Sequence, residues 1–126
     1  MPFVHITSLP FAHNFDAPAA IVAISEDFST ATGVATEHIT VTWNYFRTDH
    51  YAVDAVTAAY QPRDSHPLLV DLLAPDFNSP EQVATMLPAL AQSIAAQCGV
   101  TLRNVFINYR GARSGCVFDA GEVVHW

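Results

Sequence analysis

The sequence predicts a two-layer α/β domain, in which two tandem βαβ units form one four-stranded sheet with both helices on one face. Three observations carry this prediction: the chain length, an apolar pattern that repeats after 66 residues, and helix signals that recur at that spacing. A chain of 126 residues has the size of one domain. We expect residues 1–126 to divide into repeat one (1–45), a linker (46–66), repeat two (67–111) and a tail (112–126).

The two halves align without a gap when the sequence is shifted by 66 positions. Residues 3–6 fall on residues 69–72, and Gly33 falls on Gly99. Few pairs are identical, but the apolar pattern agrees, and this pattern largely determines the fold. The apolar positions of the two helices coincide as well, with Ile21, Ile24 and Phe28 on Leu87, Leu90 and Ile94.

Each half is predicted to be a strand, a helix and a second strand. The opening strands cover residues 3–9 and 68–73, and the closing strands, in which apolar residues alternate, cover 39–43 and 105–109. The first helix is expected over about residues 16–32. Because a crossover helix joins parallel strands with right-handed geometry, two such units place both helices on the same face of one sheet.

The second helix has the clearest boundary signals. Ser79 is the expected N-cap, Pro80 takes the first helical position and Gln82 completes a capping box. Gly99 supplies the C-terminal cap. Pro88 lies inside this helix and predicts a kink, since its ring clashes with the preceding turn.

The sequence predicts the structure of the linker and the tail less clearly than that of the two repeats. Residues 51–60 in the linker fit an edge strand or a short helix, and the pattern does not distinguish the two. In the tail, residues 116–118 and 123–126 are expected to form short strands that pair across a subunit boundary. An apolar tail ending in Trp126 is unusual for a free terminus and predicts docking.

Composition excludes several classes of partner. The chain has 12 acidic and 5 basic residues and a formal net charge of −7, which disfavours nucleic acid and anionic membrane surfaces as partners. Apolar residues make up 51% and charged residues 13%, and this balance favours a homo-oligomer that covers part of its surface.

Targeting and metal signals are absent from the sequence. It shows neither a basic leader followed by an apolar run nor the apolar stretch of about 20 residues that a membrane span needs. The two cysteines, Cys98 and Cys116, are too few for a disulfide framework, and no metal-ligand spacing occurs. We expect a reduced, cytoplasmic chain without a metal or other cofactor.

Pro2 is the first candidate for chemistry. If the initiator methionine is removed, Pro2 becomes a secondary amine at the head of a strand, and no lysine provides a second amine. An α-amino group titrates at about 7.7–8.0. Desolvation in an apolar pocket, for which we expect Phe3, Phe106, Phe118 and Trp126, would lower this pKa further. Such an amine can act as a general base near neutral pH.

With these features the chain resembles the tautomerase superfamily, and in layout its double-length members. The resemblance covers nearly the whole chain. It is carried by Met1 and Pro2 opening a strand, by the doubled βαβ unit, by the helix end at residues 25–33 and by residues 104–109.

The resemblance implies a trimer with a site at each subunit boundary, where Pro2 acts as general base on a small enolisable keto carboxylate. Phe106 and Asn108 match positions that line the pocket from a neighbouring subunit in the family. Asn108 also fits donation to a carbonyl or an ordinary inter-strand hydrogen bond. The chain departs from the family at Val34 and Thr40, where two branches carry a lysine and an arginine.

Arginines are the candidates for holding a substrate carboxylate, since the guanidinium group binds carboxylates in a bidentate fork. Arg110 and Arg113 follow the last repeat strand, and Arg47 holds the pseudo-symmetric place in the first half. For Arg110 and Arg113 the alternative is an ion pair with Asp119 or Glu122 at a subunit contact.

Three functions remain open at this point. The first is an isomerase that tautomerises a small unsaturated or α-keto carboxylate, with Pro2 as the base. The second is a hydratase or dehalogenase in which protonated Pro2 is the acid and Glu122 orients a water molecule. The third is a non-catalytic binding or structural trimer, which retention of Met1 would favour.

Overall fold

The computed structural model describes all 126 residues and confirms the predicted sheet with two helices on one face. No helix combines the length and the apolar character needed to cross a bilayer. In chain order the elements are β1 (Phe3–Ser8), α1 (Ala17–Thr32), β2 (Thr40–Tyr45), β3 (Ala52–Val53), β4 (Val56–Thr57), β5 (Leu68–Pro75), α2 (Pro80–Cys98), β6 (Val105–Ala112), β7 (Val117–Asp119) and β8 (Glu122–Val124).

The main sheet has the order β2-β1-β5-β6. Strands β1 and β2 are parallel, as are β5 and β6, so each repeat is a βαβ unit. The two units meet along β1 and β5, which are antiparallel. Phe3 lies between Thr40 on β2 and Leu73 on β5, and Leu73 in turn lies beside Arg110 on β6.

Both helices begin and end as predicted. Asp16 caps α1 by accepting a hydrogen bond from the Ala19 backbone, and Ser79 and Gln82 form the complete capping box of α2. The C-caps Gly33 and Gly99 adopt left-handed backbone conformations, with φ of 77° and 67°. Such angles favour glycine because it lacks a Cβ atom.

Pro88 does not end the second helix. Helix α2 continues through it from Pro80 to Cys98. Proline removes one donor from the backbone hydrogen bonds of the helix. The packing of the apolar side stabilises the helix in spite of this, since Met86 and Leu90 are buried on either side of Pro88. The kink predicted at Pro88 stays a prediction.

The core lies between the helices and one face of the sheet. Alternate residues of β1 and β5 point into it and are fully or nearly fully buried, among them Val4, Ile6 and Leu72. Phe28 of α1 and Ile94 of α2 close it from above, and both are at most 1% exposed. The opposite face of the sheet carries the intervening residues and is covered by no element of this chain.

The linker and the tail each fold into a small hairpin. Strands β3 and β4 pair with each other, so the linker forms neither an edge strand of the main sheet nor a helix. Strands β7 and β8 also pair with each other, and the expected pairing across a subunit boundary stays a prediction. Both turns hold two residues at positive φ, as in type I′ turns: Asp54 and Ala55 in one, Ala120 and Gly121 in the other.

The hairpins extend the internal repeat beyond its predicted limits. Adding 66 to the residue numbers of the pairs Ala52–Thr57 and Val53–Val56 gives the pairs Phe118–Val123 and Asp119–Glu122, which are the observed partners. The repeated unit is therefore βαβ followed by a hairpin. The linker and the tail are equivalent parts of it.

Trp126 docks, as predicted. Its ring meets the ring of Phe77 edge to face at 6.0 Å, and its indole Nε1 donates to a carboxylate oxygen of Asp76 at 3.0 Å. The backbone nitrogen of Trp126 also donates to the Ser114 hydroxyl at 2.8 Å. These contacts fix the C-terminal residue against the loop that precedes α2.

The two thiols differ in burial, and we expect them to differ in reactivity. Burial raises the pKa of the Cys98 thiol to about 12, so almost none of it is thiolate at pH 8. Cys116 is exposed and free. A thiol reagent should label one cysteine per chain in the native state and a second only after unfolding. Cys116→Ser should abolish the native-state labelling, whereas rapid labelling of Cys98 in that variant would contradict its burial.

Candidate active site

Pro2 is buried at the head of β1. Its carbonyl oxygen accepts a hydrogen bond from the Thr40 backbone at 3.0 Å, which ties it to the start of β2. The terminal amine, which Met1 carries in this structure, donates to the carbonyl oxygen of His38 at 2.7 Å. The N-terminus is thus held between β1 and the short 3₁₀ turn before β2.

A cavity of about 330 Å³ opens beside this terminus. One wall is β1 with its neighbouring strands, and the other is the tail hairpin of β7 and β8. The lining mixes apolar side chains with two carboxylates and a histidine. The residues are Met1, Phe3, Glu37, His38, Thr40, Leu73, Val117, Phe118 and Asp119.

The environment of the cavity acts on the amine. Burial lowers the pKa of the terminal amine from its usual value near 8, and the nearby charge of Asp119 opposes part of that shift. Desolvation has this effect because it disfavours the charged ammonium form. The neutral amine, which is the form that accepts a proton, is therefore populated at lower pH than in an exposed N-terminus.

Arg110 lies at the same end of the sheet as the N-terminus, but its guanidinium group is paired with Asp71. Its guanidinium forms a fork on Asp71, with Nη2 at 2.6 Å from Oδ2 and Nε at 2.9 Å from Oδ1. The hydrogen bond from Arg110 holds the pKa of Asp71 below its usual range. Within the chain Arg110 therefore pairs with Asp71 on the neighbouring strand. The predicted alternative, an ion pair with Asp119 or Glu122 at a subunit contact, stays a prediction.

The strand register gives the separation of Arg110 from the terminus. Phe3, Leu73 and Arg110 form one row across three strands, and strands lie about 4.8 Å apart, so the backbone of Arg110 is about 10 Å from that of Phe3. The Arg110 side chain is 57% exposed. It lies on the uncovered face of the sheet.

Arg113 and Glu122 lie near the cavity without lining it. Arg113 directly follows β6, is exposed and forms no ion pair. Glu122 stands opposite Asp119 in the tail hairpin, and it is Asp119 that reaches the cavity wall.

Three predicted site residues do not reach the cavity within one chain. Asn108 faces away from the helices in the middle of β6, beside Asp71, and Phe106 lies further towards the opposite end of the sheet. Arg47 follows β2, also at that opposite end. The resemblance assigns Phe106 and Asn108 to a neighbouring subunit, so their roles stay predictions.

Three polar cavity residues were missed from the sequence as parts of the site: Glu37, His38 and Asp119. Aligning the tail with the linker at the 66-residue shift would have shown that Asp119 belongs to a second hairpin. No group of three histidine, cysteine or acidic residues lies close enough together to hold a metal ion. His5, expected to be a satisfied interior or interface histidine, is half-buried and its Nδ1 lies 2.6 Å from the Thr42 hydroxyl.

Comparison by sequence finds no relative: no family model and no curated protein matches the chain. Comparison by structure finds several. A fused 4-OT crystallised as an asymmetric trimer superposes with a TM-score of 0.82 at 13% identity, covering 96% of this chain and 94% of that one. A member of the cis-3-chloroacrylic acid dehalogenase family superposes with a TM-score of 0.76 at 9% identity, covering 97% of this chain and 82% of that one.

A malonate semialdehyde decarboxylase is similar as well, with a TM-score of 0.69 at 16% identity, covering 95% of this chain and 91% of that one. At such identities the likeness concerns the fold, and these neighbours all have the architecture that the sequence resemblance implied. The doubled βαβ unit is thus confirmed in three dimensions, and this chain has the fold of the tautomerase superfamily.

Proposed function

We propose that the chain is an isomerase that moves a proton within a small unsaturated or α-keto carboxylate, with the amine of Pro2 as the general base after removal of Met1. The neutral amine takes a proton from a carbon next to the substrate carbonyl and returns it to another atom of the resulting dienol. No cofactor takes part in this step.

The observation that carries the proposal is the setting of the N-terminus. Pro2 is buried between Met1 and Phe3, which line a cavity of about 330 Å³, and burial lowers the pKa of the terminal amine that Met1 carries there. A general base works best when its pKa lies near the working pH. Phe3 and Phe118 line the cavity and give it an apolar part.

The carboxylate of the substrate needs a cation, and the cavity of a single chain contains no arginine. Arg110 and Arg113 are the nearest candidates, because both lie at the Pro2 end of the sheet. Arg47 lies at the far end, where only a second subunit could bring it to this cavity. The fused 4-OT neighbours form trimers, and we propose the same assembly here, with Arg47, Asn108 or Phe106 supplied across the boundary.

The first test is the state of the N-terminus. Intact-mass measurement of protein from its native host should show the loss of one methionine, and the protein should then enolise phenylpyruvate or ketonise 2-hydroxymuconate. Retention of Met1 would leave Pro2 as an amide nitrogen without basicity. That result would refute both enzymatic proposals and favour a non-catalytic trimer.

Asp119 favours a second candidate, the addition of water to an unsaturated carboxylate or hydrolytic dehalogenation. Its carboxylate lines the cavity and opposes part of the downward shift that burial imposes on the pKa of the Met1 amine. Asp119 would orient the water molecule in the role first considered for Glu122. Two neighbours carry related names, a dehalogenase family member and a decarboxylase described with hydratase activity.

The pH dependence of kcat/KM separates the two candidates. The isomerase needs the neutral amine, so its activity should fall in acid, with a midpoint below the usual amine value near 8 because burial lowers that pKa. The hydratase needs the ammonium form and should lose activity in base. Asp119→Asn should abolish water addition and leave enolisation largely intact, and the reverse pattern would contradict the isomerase.

A further inference from the structure

The molecule holds a second cavity, larger than the first, which the proposed reaction does not use. It measures about 430 Å³ and lies against the linker hairpin, at the start of β5. Six of its eight lining residues are polar or charged. The residues that matter for the argument are Asp64, Ser65, His66, Thr101, Arg103 and Asn104.

The two cavities are equivalent under the internal repeat. Adding 66 to the lining residues Met1, Glu37 and His38 of the first cavity gives Pro67, Arg103 and Asn104, which line the second. Asp119 of the tail hairpin corresponds in the same way to Val53 of the linker hairpin, and both line their cavities. Each crevice therefore lies between the start of one repeat and the hairpin that ends the other repeat.

Equivalent position does not bring equivalent chemistry. Pro67 lies in the middle of the chain, so its nitrogen is an amide and the second cavity has no basic amine. The charges differ as well, since Arg103 replaces Glu37 and Val53 replaces Asp119. A crevice with two carboxylates has become one with a cation, and Arg103 forms no ion pair within the chain.

The wall of the second cavity is fixed by buried polar side chains. His66 is 5% exposed, and its ring lies 2.7 Å from the Val56 carbonyl oxygen on one side and 3.1 Å from the Ser65 hydroxyl on the other. Asn104 is 2% exposed and donates to the carbonyl oxygens of Pro62 and Ser65 at 3.0 and 2.8 Å.

The backbone conformation of His66 also indicates that this loop is held in place by its surroundings. Its φ of 53° lies in the left-handed region, which is unfavourable for histidine and persists only where surrounding contacts impose it. The loop that carries Ser65 into the cavity is thus held in one conformation. The Ser65 hydroxyl is held there against the His66 ring nitrogen at 3.1 Å.

We propose that this second cavity is a non-catalytic binding site for a small monocarboxylate. The Arg103 guanidinium provides both the charge and the hydrogen-bond donors. The hydroxyls of Ser65 and Thr101 are engaged with the His66 ring and the Arg63 carbonyl oxygen. Asp64 also lines the cavity and repels additional negative charge, which restricts the ligand to a single carboxylate. The proposal does not depend on the chemistry at Pro2, because the two cavities share no lining residue.

The experiment is an NMR titration of the full-length protein with pyruvate, followed through the backbone amides of residues 64–66 and 101–104. We expect saturable shifts at these amides and none with the neutral ester methyl pyruvate. Arg103→Gln should weaken binding about 10- to 100-fold, since hydrogen bonds to charged groups contribute about 1.5–3 kcal/mol. Asp64→Asn should tighten it.

Arg63→Gln is the matched control. Arg63 is an exposed arginine that directly precedes Asp64 and Ser65 but does not line the cavity. This substitution should leave the affinity for pyruvate unchanged. Equal binding by Arg103→Gln and the parent protein would overturn the proposal, as would shifts confined to the cavity beside Phe3 and Phe118. Arg103→Lys keeps the charge without the fork and should bind with intermediate affinity, and the same spectra show whether each variant is folded.

Discussion

Pro2→Ala should lower kcat/KM for the enolisation of phenylpyruvate by about 10²- to 10⁴-fold, the range typical of a positioned general base. The secondary amine is the proposed base, and its ring is buried beside the cavity. Alanine leaves a primary amine and an unfilled space, so both basicity and position change. The measurement is the initial rate of enol formation for both proteins, each with its N-terminus verified by mass.

Acetylation of the parent protein is the complementary control. Because the chain has no lysine, an amine reagent has only the N-terminus to modify. The acetylated protein keeps every side chain and should lose the enolisation activity to the same extent as Pro2→Ala. Full activity of either form would show that the amine is not the base. A residual rate equal to that of free imidazole at the same concentration would indicate no enzymatic activity at all.

Phe28→Ala should lower the free energy of unfolding by about 3–5 kcal/mol, as large-to-small substitutions in a core do. Phe28 is 1% exposed and lies where helix α1 meets the sheet and helix α2. Its loss removes apolar burial and leaves a cavity that close-packed neighbours cannot fill. Most domains have only about 5–15 kcal/mol of stability, so this variant should unfold at much lower urea concentration.

Val22→Ala is the matched control on the same helix, because Val22 is 56% exposed. It should change the free energy of unfolding by less than about 0.5 kcal/mol. Equal effects of the two substitutions would contradict the orientation of α1. If the protein is an oligomer, both variants must be compared at one protein concentration, since association contributes to apparent stability.

The two carboxylates of the first cavity and the cation of the second show how duplication has diverged. The same backbone unit forms both crevices, and the residues at equivalent positions set a different charge in each. Only the first crevice lies at a chain terminus. The backbone of the repeat therefore sets the shape of each crevice, and the side chains at equivalent positions set its charge.

Local signals in the sequence predicted the ends of both helices. The caps Ser79, Gly33 and Gly99 fixed the helix ends, because each supplies a hydrogen bond or a backbone angle that the adjoining residues decide. The hairpin of β3 and β4 was not predicted, since its two-residue strands carry no alternating pattern. Its turn, Asp54 and Ala55, also lacks the glycine that type I′ turns usually show.

The sequence by itself determined the doubled βαβ architecture, the side of each helix that faces the core and the place of Pro2 at the head of a strand, because apolar periodicity and caps act within a few residues. Only the tertiary structure decided that Arg110 pairs with Asp71, that Asp119 reaches the cavity beside the amine and that a second crevice surrounds Arg103. These contacts join residues 36 or more positions apart, and their geometry depends on strand register and hairpin placement, which no local pattern encodes.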